Sequence, residues 1–456
     1  MLPGTQVWSR ARTKALFDEE QRYIAPGLQT IALLSELAIE RGRGAILTDF
    51  DGREYLDLNA GVSVASLGHA HPRYVAALKA QLEAVTVGSF TSKPRAELTR
   101  LIAELAPGDL GRVQFFSGGA EAVEAAIRLA RSYTKRSDII GFTGGFHGKT
   151  AGVLPLSDVA WKEAVGPLPA GLHLAPFPDP TCFPGSEAES VAHTMSALKR
   201  VIAEHADGRP AAILVEPIQG TAGNLVPPPG FLTELHRVAR EHGALLIADE
   251  MITGFGRTGL MFGCNHDKVV PDIMTLGKGM GSGFPVSAVL STDAIVAAEP
   301  FSLPSASSSS YGGNPLAAAA ALVTVQTIRD EGLADNAARV GGVFLDGLRR
   351  IASRNRSIAN VRGKGLLVGF DLVRPEVRPR PSQAASAFAE AWADHLLPKE
   401  GCVKFFKECL ANGLILMGYT PRVRIHPPLI LSADEAIRAL GIIEGALESV
   451  APSRAC

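Results

Sequence analysis

The sequence predicts an α/β protein built on a mainly parallel sheet flanked by helices, followed by a smaller α+β domain. Three observations carry this. Short apolar runs rich in branched residues alternate with helical stretches, as in AAILV (211–215), FLTELHRVAREHG and ALLIA (244–248), which is the rhythm of βαβ units. The 456-residue chain exceeds the roughly 250 to 300 residues at which single cores stop growing, so two packed domains are expected. After about Asp330 the pattern changes character.

Taken in order, residues 1–65 are expected to form an N-terminal segment packing with the small domain, residues 66–330 the large domain and residues 331–456 the small one. SASSSS (305–310) is low in complexity and reads as a loop. Beyond it come a helix DNAARVGGVFLDGLRRIASR, a strand-like GLLVGFDLV, a Pro/Arg stretch RPEVRPRPS and a strand-like GLILMGY. The Pro/Arg stretch is expected to be a solvated excursion, because proline removes backbone donors and arginine favours water.

Composition limits the function classes. With 46% hydrophobic and 20% charged residues and a net charge of −1, the chain resembles an ordinary globular protein, and no nucleic-acid partner is expected. Its first residues, MLPGTQVWSRARTKALF, carry charges where a signal peptide has an apolar core. The longest apolar run, residues 316–323, falls far short of the ~20 residues of a membrane span. A cytoplasmic protein without membrane association is expected. Five cysteines (Cys182, Cys264, Cys402, Cys409, Cys456) form no CxxC pair and cannot all pair within one chain, so they read as reduced thiols. No metal is expected, and no repeat occurs at solenoid spacing.

In an open parallel sheet, ligands gather beyond the carboxyl ends of the strands, so polar residues that end apolar runs are the first candidates. Four such ends occur: Glu216 after AAILV, Asp249 after ALLIA, Lys278 after DIMTLG, and FSGGAEAVEAAIRLAR after VQF. Singly, each has a structural reading, as a salt-bridged strand end, a helix cap, a solvated lysine or a glycine turn. Together they ask for more. The 29 residues from Asp249 to Lys278 leave room for one further βαβ-like passage, returning an acid and a lysine to one sheet edge.

That pairing suits pyridoxal phosphate. A lysine amine condenses with the cofactor aldehyde, while a carboxylate keeps the pyridine nitrogen protonated so that the ring accepts electrons. Glycines around Lys278, in GKGMGSGFP, allow a tight turn. Gly118, Gly119 and Ala120 form a small-residue turn before a helix, where free N–H groups and the positive dipole end cradle an anion. Phe146 and His147, within GGFHGKT (144–150), are placed to stack on a flat ring.

Nine motifs, in family order between about residues 42 and 428, resemble the class III (ω-type) aminotransferases of fold type I. They are GRGAILTDFDGREYLDL, GHAHP, SGGAEAVEAAIRLAR, GGFHGKT, VEPIQG, IADEMITGFGRTG, DIMTLGKGMGSGFP, YGGNPLA and RVRIHPPL. The resemblance implies that Lys278 is the Schiff-base lysine and proton shuttle, Asp249 the pyridine-nitrogen partner, and Gly119 with Ala120 the phosphate cradle. It implies that Phe146 stacks on one ring face and Met251 packs on the other, with His147 and Glu216 lining the site. Ser310 stands where the family usually has a threonine reaching a phosphate of the neighbouring subunit, which implies a homodimer with shared active sites. Arg424 matches an arginine that binds a substrate carboxylate, a task suited to the bidentate guanidinium.

Several positions depart from the family pattern. Gly118 and Ala120 lack the hydroxyls common there, which shifts phosphate binding toward backbone amides and Ser310. Ile252 stands where some members carry glutamine, and Thr221 replaces the acid that pairs with the position of Arg424 in relatives acting on γ-aminobutyrate. Lys149 stands where relatives binding an amino-acid carboxylate have arginine, whereas relatives acting on diamines can have lysine. The implied activity is transfer of an amino group from a primary amine (a diamine, ω-amino compound or amino sugar) to a 2-oxo acid such as 2-oxoglutarate or pyruvate.

Two alternatives stay open. The family also holds racemases, epimerases and aminomutases, and FPDPTCFPGSEAES (177–190) resembles a branch that includes amino-acid racemases. From another class, TGGFHGKT resembles the phosphate loop of an ATPase, although that pattern requires glycine where Thr143 stands.

Overall fold

The computed structural model describes residues 10–181, 183–376 and 392–450. Its central sheet has seven strands: β4 (Arg112–Phe116), β5 (Ile139–Phe142), β6 (Leu172–Ala175), β7 (Ala212–Val215), β8 (Leu245–Asp249), β9 (Ile273–Leu276) and β10 (Ser287–Ser291). They lie in the order β4-β10-β9-β8-β7-β5-β6. The run from β9 to β6 is parallel throughout, and β10 is antiparallel to both its neighbours. The expected mainly parallel sheet is present.

These strands are apolar at successive residues because both faces are covered. Ala212, Leu214, Leu245 and Ile247 face a core shared with Val123, Ile127 and Ala130 of the helix Gly119–Thr134. Ile213, Val215, Leu246 and Ala248 face the opposite core, with Leu198, Leu235 and Val238 of the helices Glu187–His205 and Phe231–Glu241. One point differs from expectation. Between β8 and β9 the chain forms no α-helix, only a loop with a 3-10 turn, Gly263–Asp267, which Glu250 caps by accepting the N–H groups of Gly263 and Cys264.

Two smaller sheets complete the fold. β1 (Ile39–Arg43), β2 (Ile46–Asp49) and β3 (Glu54–Asp57) are joined by the C-terminal strand β13 (Leu414–Ile415), parallel to β3. β11 (Ile358–Lys364), β12 (Leu367–Leu372) and β14 (Arg422–Ile425) form an antiparallel sheet in that order. The strand expected in GLILMGY is short, and it joins the three N-terminal strands. Residues 377–382 of the Pro/Arg stretch lie outside the described residues, and no described helix is long and apolar enough to cross a membrane.

The C-terminal part meets the central part through bare backbone. A Cβ on Gly341, in the helix Leu333–Arg354, would stand 2.0 Å from the Gly365 carbonyl oxygen, and one on Gly365 would stand 2.4 Å from the Thr258 carbonyl carbon. Gly365 also takes φ +54°. Beside this contact the buried Arg257 donates to the carbonyls of Leu366 and Pro427. Gly341→Ala should therefore cost about 2 kcal/mol through overpacking. Gly342→Ala, one residue on with nothing within 4 Å of its Cβ, should be neutral or stabilise by up to about 1 kcal/mol. Thermal unfolding of the two variants checks the contrast, and equal midpoints would contradict it.

Candidate active site

The carboxyl ends of β7, β8 and β9 bring the sequence-predicted residues together. Asp249 is the last residue of β8 and pairs in register with Thr275 of β9. Lys278 lies two residues past the end of β9, in a short 3-10 turn entered through Gly277, and takes φ +40°. A left-handed backbone at a residue with a long side chain is uncommon and is held only where the surroundings fix it. Both residues line one cleft of about 390 Å³ with Ser117, Gly119, Ala120, Phe146, His147 and Met251. Val64, Gly148 and residues 283–286 complete its walls.

Asp249 is 1% exposed and is held by three protein contacts. Its Oδ2 lies 2.7 Å from His147 Nδ1, and its Oδ1 accepts the Thr275 hydroxyl at 2.8 Å and the Met251 N–H at 3.2 Å. Burial pushes this carboxyl up, but the His147 hydrogen bond and the charges of His147 and Lys278 outweigh burial and hold it below the ordinary aspartate range. For His147, burial works against the charged ring, and the Asp249 hydrogen bond and charge prevail and raise it. The pair is thus a buried ion pair at the foot of the cleft.

One wall is the start of the helix Gly119–Thr134, whose first-turn amides have no intrahelical carbonyl to meet. Gly119 and Ala120 line the cleft there. Gly118 does not, and its N–H donates instead to Glu121 Oε2 at 2.6 Å. Ser117, which sequence reasoning missed, places a hydroxyl-bearing residue at the same wall. The floor is Met251, packed so close to the backbone that a Cβ on Gly119 would stand 3.3 Å from its Sδ and one on Gly277 2.5 Å.

Glu216 follows β7 and is buried just behind the cleft, where Oε1 accepts the Phe146 N–H at 2.9 Å and Oε2 the Gly220 N–H at 3.0 Å. Burial raises this carboxyl despite the nearby His147 charge. Arg424, on β14, is 9% exposed; burial lowers its pKa, while Tyr419 and Glu216 pull the other way. It does not line the cleft described above, nor do Lys149 and Ser310, which are both exposed. Ile252 packs against Gly220, and Thr221 is exposed. Thr275 was also missed, because its contact with Asp249 depends on strand register, which no single-residue signal reveals.

The arrangement fits pyridoxal phosphate on its own geometry. It offers an amine and an ionised carboxylate in one cleft, open helix-start amides for a phosphate, and Phe146 and Met251 as walls for a flat ring. The phosphate-loop resemblance of TGGFHGKT ends here, because the segment leads into a 3-10 turn, Leu154–Leu156, and not into a helix. Among the described residues no cluster of His, Cys, Asp and Glu is arranged to hold a metal ion.

Comparison with known proteins places these features in context. A family model described as aminotransferase class-III matches residues 30–447. Acetylornithine aminotransferase of Methanopyrus kandleri is 40% identical over 337 residues, 73% of this chain and 79% of that protein. Alanine/serine racemase of Pyrococcus horikoshii is 33% identical over 454 residues, covering 96% of this chain and 90% of that one. Among solved structures, a thermostable (S)-enantioselective omega-transaminase from Thermomicrobium roseum superposes with a TM-score of 0.85 at 31% identity, over 98% of this chain and all of the other. An amine transaminase from an uncultivated Pseudomonas species, solved with pyridoxal phosphate bound, gives 0.82 at 30% identity over 94% and 98%.

The buried pair carries a pH signature. A lowered aspartate contributes stability above its unfolded pKa and loses it as pH falls through the folded value. A raised histidine contributes below its unfolded pKa and loses it as pH rises through the folded value. The pair is at full strength between about pH 4 and about pH 6.5, the ordinary values of the two groups. His147→Gln should cost about 3 kcal/mol in that window by leaving Asp249 buried without its cation. It should also remove the alkaline decline due to His147. Thermal unfolding of both proteins across pH, at fixed cofactor concentration, measures this, and parallel curves would contradict it.

Proposed function

The chain belongs to the class III aminotransferases, and from that premise we propose that its cleft moves an amino group from a primary amine to a 2-oxo acid with Lys278 as the proton carrier. The observation that carries the residue assignment is the convergence of Lys278, Asp249 and the open helix start on one cleft. The family's cofactor, pyridoxal 5'-phosphate, supplies when bound an aldehyde for a lysine amine and a protonated ring that draws electrons from the carbon bearing the amino group.

In this reading, Lys278 holds the cofactor, yields its place to the donor amine, and then takes the α-proton on Nζ and returns it elsewhere. Asp249 keeps a proton on the ring nitrogen, and His147 and Thr275 keep Asp249 ionised and aimed. Gly119 and Ala120 donate backbone amides to the phosphate, with Gly118 shaping the turn. Phe146 covers one ring face and Met251 excludes water from the other. Glu216 fixes the Phe146 loop. Arg424 binds the carboxylate of the acceptor, for which we propose 2-oxoglutarate or pyruvate. For the donor we propose a diamine, ω-amino compound or amino sugar. The lysine at position 149 and the relatives named acetylornithine aminotransferase support that choice. Location in the cytoplasm is consistent with the free, buried Cys264, Cys402 and Cys409.

A second reading, racemisation, is favoured by the alanine/serine racemase that matches 96% of the chain. Adding candidate amines to the holoenzyme and following the visible band of the bound cofactor separates the two. Bleaching with release of a carbonyl product supports transamination, and return of an inverted amine supports racemisation. Lys278→Ala should lose the band and all turnover, and retained activity would sink the assignment. Lys149→Arg should shift preference from diamines toward amino acids, and an unchanged preference would remove Lys149 from donor selection.

We further propose a homodimer in which Ser310 reaches the partner's phosphate site. Exposed Leu82, Val85, Val87, Phe90 and Tyr311 support it, because the Thr86 carbonyl accepts the Leu316 N–H and so sets the segment 82–90 beside the one that follows Ser310. Light scattering should give twice the chain mass, and Ser310→Ala should loosen cofactor retention without changing that mass. A monomer with full activity would refute this.

A further inference from the structure

We propose that Asp179 and Arg422 form a clasp that positions Arg424, so that this ion pair sets affinity for the carboxylate-bearing 2-oxo acid and leaves the donor step alone. The proposal rests on the reading of Arg424 as the acceptor's carboxylate site. Arg422 and Arg424 are alternate residues of β14, so their side chains leave the same face of the three-stranded sheet. The loop 216–225 crosses that face. Gly369 stands opposite Arg424 in register, and a Cβ there would lie 2.6 Å from the Gly223 carbonyl oxygen.

Three side chains pin this loop to the sheet. Arg362 donates to the Gly223 carbonyl at 2.9 Å, Arg422 to the Ala222 carbonyl at 3.3 Å, and Asn224 to the Val368 carbonyl at 2.7 Å. The loop begins at Glu216, whose charge reaches Arg424 and whose oxygens hold the amides of Phe146 and Gly220. It therefore joins the cleft to the sheet that carries Arg424.

Arg422 is gripped in turn by Asp179, whose Oδ2 lies 2.8 Å from its Nη2, with the two side chains 17% and 23% exposed. The other Asp179 oxygen accepts the N–H and hydroxyl of Thr181, which fixes the carboxylate's direction. With threonine at 221 and both Glu216 oxygens committed, the local acid pairs two residues away from Arg424. Among the described residues no carboxylate forms an ion pair with Arg424 itself, so its fork stays open while its neighbour holds the strand in place.

The test uses the holoenzyme and measures the two half-reactions separately. Asp179→Asn, nearly isosteric, should raise KM for 2-oxoglutarate about tenfold, the scale of coupling through a short side-chain network. It should leave acceptor kcat and the donor bleaching rate unchanged. Asp179→Glu, which keeps the charge, should recover most of the affinity. An unchanged KM in Asp179→Asn, or donor and acceptor steps falling together in both variants, would overturn the clasp. Arg424→Gln distinguishes the two levels. If it leaves KM for 2-oxoglutarate unchanged, the reading of Arg424 fails and the clasp with it. If it raises KM while Asp179→Asn does not, only the clasp fails.

Discussion

The contact between Asp249 and His147, 2.7 Å apart and almost fully buried, is the constraint on which the rest of the site depends. A carboxylate at the end of an apolar strand would ordinarily take up a proton to escape desolvation. The imidazole beside it, the Thr275 hydroxyl and the Met251 amide keep it charged instead. That charge must be fixed in space as well as kept, and the parallel ladder does this by seating Asp249 opposite Thr275. Because Lys278 leaves the same strand only two residues after it ends, the register that places Thr275 also sets where the lysine begins.

The glycines of the cleft follow from this arrangement. Met251 enters from the turn after Asp249 and lies on bare backbone at Gly119 and Gly277, leaving no room for a Cβ at Gly277. One side chain thereby touches both the helix start at Gly119 and the turn that carries Lys278. The glycine at 277 is better understood as making space for Met251 than as loosening the chain. A similar economy joins the two parts of the molecule, where Gly341, Gly365 and Thr258 stack backbone on backbone beside Arg257. Rigid contacts of this kind let Arg424, on a separate sheet, keep a constant relation to a cleft built on the central one.

Much of this was legible in the sequence, for identifiable reasons. Strands covered on both faces are continuous apolar runs, so β7, β8 and β9 stood out, and polar residues ending them could be read as Glu216, Asp249 and Lys278. The helix start at Gly119 was visible because small residues precede an amphipathic stretch. What could not be read depends on pairing between distant segments. Thr275 looks like any threonine in a strand, and Ser117 like any turn residue. The short β13 joins the open edge of the N-terminal sheet at β3, a pairing between the two ends of the chain that no local pattern announces. A helix was expected between Asp249 and Lys278, whereas the buried Glu250 organises that passage as a capped turn, and a carboxylate beside an aspartate carries no signature of which backbone it will meet.

The division of labour also bears on why one scaffold supports outcomes as different as transamination and racemisation among the relatives of this chain. The groups that keep Asp249 charged and present Lys278 all come from the central sheet and its loops, and the α-proton transfer assigned to Lys278 is a step both reactions need. Arg424, Arg422 and Arg362 belong to the small sheet, where Arg362 and Arg422 hold the loop 216–225 and Arg422 pairs with Asp179. That loop begins at Glu216, whose charge also acts on His147, so one buried carboxylate joins the small sheet to the Asp249 and His147 pair.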